Sequence, residues 1–324
     1  MRKITTTHTG IIVSDTDMEL EYLYVGDYGK ENNIKADFLG YTKKIKKVEH
    51  RPVDITDKLV VTVSTQKGCL EKCKFCDCPK YGFKGNVPYF QLMSEIINGV
   101  ALSKIQQGQR LNVHFARMGE PTWNPDVISV ARDIGTIMNG AQKFIEYHPV
   151  VSTMLPKNNK KLIQFLHAWC ELGNMNLWNG GIGLQFSINT LDEADRNDMF
   201  NNCSLSLAEI SEIGKQLPMP TGRKYTLNFA VTGKCNLDPE IMGRYFDKDK
   251  FLVKITPIHA TEEAIKNDFA TEFDFDVYEK FERPLVEAGW DVIVFIPSFE
   301  EDSDRITCGN SLIALGAADE GSAG

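Results

Sequence analysis

Residues 59–78 read Leu59-Val60-Val61-Thr62-Val63, then Ser64-Thr65-Gln66-Lys67, then Gly68-Cys69-Leu70-Glu71-Lys72-Cys73-Lys74-Phe75-Cys76-Asp77-Cys78. The first five are aliphatic or β-branched, the composition of a strand buried on both faces. The remainder reads as a loop, with four thiols in ten residues. Six further strand-like runs lie downstream: Leu111 to Phe115, Tyr147 to Ser152, Gly183 to Ile188, Tyr225 to Val231, Phe251 to Ile255 and Asp291 to Ile296. Helical spacing of apolar residues appears between them. Leu92, Ile96, Ile97, Val100 and Leu102 form one face, and Leu162, Phe165, Leu166 and Trp169 another. Ile210, Ile213 and Leu217 form a third, and Phe281, Leu285 and Val286 a fourth.

Alternating β and α units rich in Val, Ile and Phe imply an α/β fold of parallel strands covered by helices. Six or seven units fit a full or partial β/α barrel; a doubly wound open sheet has the same pattern. In both, ligands bind at the carboxyl ends of the strands. The cysteines follow the 59–63 run, Gly119-Glu120-Pro121 follows the 111–115 run, and Ser152 and Ser187 end their own strands. The first 45 or so residues hold only short apolar pieces, Ile11-Ile12-Val13 and Tyr22-Leu23-Tyr24-Val25, which read as a few short strands.

The chain has 324 residues, 42% hydrophobic and 25% charged, the profile of a globular protein with a real core. No apolar run approaches the roughly 20 residues that cross a bilayer. The polar start, Met1-Arg2-Lys3-Ile4-Thr5, does not suit a secretory leader. A cytoplasmic protein with no membrane partner is expected. The net charge of −8 argues against a protein that coats nucleic acid non-specifically. Yet residues 43–84 carry eleven Lys and Arg against five Asp and Glu, so a basic face is compatible with the first third of the chain.

In a reducing compartment a tight cysteine cluster reads as metal or redox chemistry. The spacing C-x3-C-x2-C puts three thiolates on one loop, enough to hold three irons of a cubane and leave the fourth open. The alternative is a zinc site using Cys69, Cys73, Cys76 and Cys78. Structural zinc usually pairs two distant C-x2-C knuckles, and the sequence has no second one.

The pattern, with Phe75 before the third cysteine, resembles the radical S-adenosylmethionine (SAM) superfamily. Ser64 to Cys69, the cysteines, and Tyr81-Gly82-Phe83-Lys84-Gly85-Asn86 resemble the cluster loop of the RlmN/Cfr family of RNA adenine methyltransferases. Met118-Gly119-Glu120-Pro121, Val151-Ser152-Thr153, Phe186-Ser187-Ile188-Asn189 and Cys308-Gly309 recur in family order. The resemblance implies a partial (β/α)6-type radical SAM barrel over residues 49–312; the short apolar pieces before it read as a β-rich extension over 1–48, and the low-complexity end as a disordered tail over 313–324. It implies a [4Fe-4S] cluster on Cys69, Cys73 and Cys76, with SAM held by Gly119, Glu120, Ser152, Ser187, Asn189 and His259. Cys308 would carry a methyl group, and Glu49 would remove the ring proton of an adenine in ribosomal or transfer RNA. A flavodoxin- or ferredoxin-type protein would donate electrons.

The chain departs from the family at three places. Thr62 stands where the family has a second cysteine, which releases the product by disulfide exchange; a hydroxyl has no sulfur for that step. His259 replaces the asparagine after the late strand. Only about 48 residues precede the match, fewer than the family's N-terminal accessory domain. Either another thiol substitutes for the missing cysteine, with Cys78 the nearest in sequence, or the chemistry differs. Two other readings therefore stand beside methyl transfer, radical SAM hydrogen abstraction from another substrate and a zinc-stabilised binding protein.

Overall fold

The computed structural model describes residues 1–7, 10–25, 34–35, 55–138, 143–174, 181–270, 278–296 and 311–312. Three strands come first: β1 (Arg2–Thr6), β2 (Gly10–Asp15) and β3 (Leu20–Val25), paired antiparallel in sequence order. The two-residue β4 (Ile34–Lys35) follows, then β5 (Lys58–Val63) and a small ribbon of β6 (Gln66–Gly68) with β7 (Phe83–Asn86). After helix α1 (Tyr89–Leu102) come β8 (Gln107–Phe115), α2 (Asp126–Met138), β9 (Lys143–Thr153), α3 (Leu162–Asn174) and β10 (Gly183–Ser187). Next are α4 (Glu193–Met199), α5 (Leu207–Gln216), β11 (Tyr225–Val231), α6 (Pro239–Tyr245) and β12 (Phe251–Pro257). The described elements end with α7 (Glu262–Lys266), α8 (Arg283–Glu287) and β13 (Val292–Ile296).

Seven strands, β5, β8, β9, β10, β11, β12 and β13, lie side by side and parallel. All seven strand-like runs of the sequence are strands, and the parallel part of the eleven-stranded sheet is one strand longer than a six-unit barrel. The N-terminal chain pairs with both of its edges: β3 runs antiparallel to β5, and β4 antiparallel to β13. Nine strands lie between these contacts inclusive, about 38 Å if flat at roughly 4.8 Å per strand. The chain from Val25 to Ile34 reaches at most about 31 Å. The sheet is therefore curled, as a partial barrel requires, and no pairing of β5 with β13 closes it among the described residues.

Alternate residues of each strand enter the core beneath the helices: Leu59, Val61 and Val63 of β5, Leu111, Val113 and Phe115 of β8, Leu227 and Phe229 of β11, Val253 and Ile255 of β12. Close approach of α1 to β5 depends on Gly99, where a Cβ would stand 2.7 Å from Val61 Cγ1. Helix starts are fixed locally. Asp192 accepts the amides of Ala194 and Asp195, and Ser206 with Glu209 closes a capping box on α5. Among the described residues no helix is long and apolar enough to cross a membrane. Glu49, Cys308, the expected boundary at 48–49 and the tail over 313–324 lie outside the described residues.

Candidate active site

The loop after β5 is closed at its base by the β6–β7 ribbon. Gly68 has φ +77°, and a Cβ there would fall 1.4 Å from the Gly82 carbonyl oxygen, so only glycine allows the strands to meet. The Cys69 amide donates to that same oxygen at 3.2 Å, and the Cys76 amide donates to Cys73 O at 3.3 Å. Neighbouring elements hold the loop's outer side. Lys74 N–H donates to Met199 O at the end of α4 (2.9 Å), and Thr261 Oγ1 donates to Phe75 O (2.8 Å). The Asp77 carboxylate accepts the Glu262 and Glu263 amides that open α7, at 3.2 and 3.0 Å.

The three thiols lie close enough to perturb one another. Burial pushes Cys69 and Cys73 well above the usual thiol range, and the neighbouring Cys76 adds to both. Cys76 is pulled down, chiefly by a hydrogen bond with the Cys78 side chain. Among the described residues no three His, Cys, Asp or Glu side chains converge on a single ion position. In a cubane each thiolate takes its own iron, which three buried thiols spaced along one loop suit. The donor set thus fits an iron–sulfur cluster with Cys69, Cys73 and Cys76 as ligands.

The loop after β8 packs directly on the cysteine loop. Thr65 and Gln66 amides donate to Met118 O at 2.8 and 3.1 Å. Gly119 has φ +99°, and a Cβ would stand 2.4 Å from Gln66 Cβ. The buried Glu120 carboxylate accepts from Thr122 N (3.1 Å), Thr122 Oγ1 (2.7 Å) and Met154 N (3.0 Å). Burial lifts Glu120 to about 7 against those hydrogen bonds, and its charge in turn raises Cys69 and Cys73. Glu120 therefore lies near enough to the thiols to act on them, with part of its acceptor capacity already spent on residues that follow β8 and β9.

The strand positions that alternate with the core face the inside of the curled sheet. Register aligns Thr62 with His114 and Val150, Ser152 with Gln185 and Thr226, and Ser187 with Asn228 and Lys254. This face carries buried polar atoms without partners: Thr62 Oγ1, Asn112 Oδ1, Thr226 Oγ1, Asn228 Oδ1 and Thr256 Oγ1. Asn189, just beyond β10, is left-handed (φ +67°), uses Oδ1 to accept from Ala230 N at 3.2 Å, and leaves Nδ2 unpartnered. Buried polar groups are seldom left so, and a row of them fits a polar organic cofactor. Ser152 and Ser187 are half-buried at the ends of β9 and β10. His259 is half-buried in the segment after β12, where its carbonyl accepts the Thr261 amide at 2.9 Å.

The structure therefore brings the cysteines, Gly119, Glu120, Ser152, Ser187, Asn189 and His259 to one end of the sheet. Sequence reading passes over Gln66, whose Oε1 accepts the Glu120 amide at 3.0 Å, and Asn124, whose Nδ2 donates to Thr65 O and Val87 O at 2.8 Å each. It also passes over Lys254, signalled by a lone cation within Phe251-Leu252-Val253-Lys254-Ile255. A cleft of about 340 Å³ lined by Asp57, Lys58, Gln109, Arg110, Ile145 and Glu146 lies at the opposite end, where β5, β8 and β9 begin.

The chain is 29% identical over 234 residues to the ribosomal RNA large subunit methyltransferase N of Nitrosopumilus maritimus, covering 71% of this chain and 61% of that protein. It is 26% identical over 177 residues to the dual-specificity RNA methyltransferase RlmN of Aliarcobacter butzleri, covering 54% of this chain and 46% of that one. Its sequence relatives are RlmN methyltransferases. The chain spans about half to three fifths of the length of the curated RlmN relatives it matches. No protein-family model matches it. A radical SAM methyltransferase from Sphaerobacter thermophilus has the same fold, with TM-score 0.64 and 17% identity over 96% of this chain and 80% of that one. The RlmN resemblance and the α/β fold expected from the motifs are both borne out.

Proposed function

We propose that the chain is a radical SAM methyltransferase of the RlmN type that modifies an RNA adenine. The observation that carries this reading is the joining of three neighbouring thiols, the Glu120 carboxylate and a face of unpartnered polar atoms at one end of the sheet. When bound at Cys69, Cys73 and Cys76, a [4Fe-4S] cluster supplies the single electron that splits SAM. The chain's own groups orient the cofactor. Glu120 and the open backbone at Gly119 suit an ammonium group, Asn189 Nδ2 donates to an acceptor, and Ser152, Ser187 and His259 line its remaining length. Burial excludes water from the reacting atoms. Cys308 is the methyl carrier and Glu49 the base in this reading, and both the RNA and the electron donor belong to it. Lys72 stands exposed on the cysteine loop, available to an RNA phosphate.

A second reading is favoured by Thr62, whose hydroxyl lies on the inner face without a partner where a resolving thiol would be needed. It is hydrogen abstraction without methyl transfer. Anaerobic reconstitution with methyl-labelled SAM decides between them. Label on Cys308 and then on an RNA adenine is the expected result. An unlabelled Cys308, with 5′-deoxyadenosine formation that survives Cys308→Ala, selects the second reading.

A further inference from the structure

The first and last described segments of the chain meet beside the cysteines. Glu21 of β3 is fully buried and uses both carboxylate oxygens. Oε1 accepts from Arg117 Nη2, and Oε2 accepts the backbone amide of Leu312 at 3.1 Å. Ser14 and Ser311 share a hydroxyl hydrogen bond of 2.6 Å. The Leu312 side chain, 1% exposed, packs with Cys78 and Met118, and Cys69 and Cys76 border the same cluster. The Glu21 carbonyl also accepts from Ser64 Oγ at 2.5 Å, at the entrance to the cysteine loop. Arg117 lies one residue before Met118-Gly119-Glu120. One buried ion pair thus joins β3, both loops of the site, and the C-terminal segment.

We propose that Glu21, oriented by Arg117, is a positioning residue: it docks the C-terminal segment onto the cysteine loop and so sets the reach of Cys308. Cys308 is four residues before Leu312, within about 14 Å of it by covalent geometry alone. A carrier thiol must come to the sulfonium compound and later to the acceptor, so the anchor of its segment fixes where it can act. A buried pair is the suitable anchor because the Leu312 amide bonds to an ionised acceptor, a stronger bond than one between neutral groups. The role of Cys308 rests on the methyl-transfer reading; the docking itself does not.

The test replaces the pair by apolar residues of similar size, Glu21→Leu with Arg117→Met, an exchange that often leaves stability intact. Hydrogen exchange is read at the peptide containing Leu312, alongside iron content, SAM binding and methylation of Cys308. The expected result is exchange at Leu312 at least tenfold faster and Cys308 methylation at least tenfold lower, with iron content retained and SAM affinity within twofold. Unchanged exchange overturns the docking. Faster exchange with undiminished methylation, or methylation falling only as far as SAM binding falls, overturns the positioning role. Should the double variant not fold, Ser14→Ala removes only the hydroxyl bond. At least threefold faster exchange then supports the docking, and no change overturns it. A native protein that never carries methyl on Cys308 refutes the methyl-transfer reading, while the exchange result still decides the anchor.

Discussion

The Gln66 side chain accepts the backbone amide of Glu120 at 3.0 Å, and the Gln66 amide in turn donates to Met118 O at 3.1 Å. Two loops more than fifty residues apart in sequence are therefore one rigid piece, with the thiols on one side and the carboxylate on the other. Any change that loosens the piece should be felt as lost metal before it is felt as lost fold, because the core lies beneath the helices on the other face of the sheet.

Gly68→Ala tests that rigidity. Its Cβ would coincide with the Gly82 carbonyl, and φ +77° adds strain for any L side chain. We expect a loss of about 2–4 kcal/mol in urea unfolding and iron incorporation reduced severalfold. Gly243→Ala is the control. It sits inside α6 with open space around it, so it should be stabilising by about 0.5–1 kcal/mol with full iron content. Equal effects of the two substitutions would refute the ribbon's role.

Asp77→Asn tests the outer support. The carboxylate caps two amides of α7 and pairs with Lys80 at 3.0 Å. Asparagine keeps one acceptor and loses the charge, so a cost of about 1 kcal/mol is expected, with Asp77→Ala near 2 kcal/mol. Because Thr261 and His259 share this segment, weaker SAM binding should accompany the loss, measured by titration of the reconstituted protein. Unaltered affinity would separate His259 from the cofactor.

Much of this is legible in the sequence where chemistry and periodicity coincide. All seven parallel strands read as runs rich in β-branched, aromatic and aliphatic residues, and in β8, β10, β11 and β12 the core positions alternate with polar ones on the inner face. The cysteine loop reads from spacing alone. Helices α4, α6 and α7 are not legible, being seven, seven and five residues long, too short to show two turns of apolar repeat. Helix α2 does carry the repeat, in Val127, Val130, Ala131 and Ile134, although it is absent from the helical faces read in the sequence. The Glu21–Arg117 pair is invisible for another reason. Its partners are 96 residues apart, and neither stands in a motif.

Glu282 offers a pH test remote from the thiols. It is fully buried, neither carboxylate oxygen has a partner, and burial lifts it to about 7. The folded protein therefore holds its proton where the unfolded chain, ionising near 4.5, has released it. Stability from this group is greatest below pH 4.5, falls as pH rises towards 7, and stays low above. Glu282→Met removes the charge and keeps the length. We expect a gain of roughly 1–3 kcal/mol at pH 8 that shrinks as pH drops through that window. A gain independent of pH would show that ionisation of Glu282 is not the cause.

Thr62→Cys addresses the chemistry itself. The hydroxyl at this position is buried on the inner face without a hydrogen-bond partner, and its strand partner is His114. Replacing it with a thiol removes no native hydrogen bond and adds little volume, so unfolding should shift by less than about 1 kcal/mol. On the methyl-transfer reading, the new thiolate would supply the sulfur that disulfide exchange with Cys308 needs, a step closed to a hydroxyl. If, in that reading, the native protein stalls with the RNA still joined to Cys308, Thr62→Cys should convert a single turnover into many, counted as labelled RNA per enzyme. Turnover that stays at one in both proteins, with Cys308 methylated in each, would place the release step on another group. Multiple turnovers in the native protein would show that a different thiol already performs it.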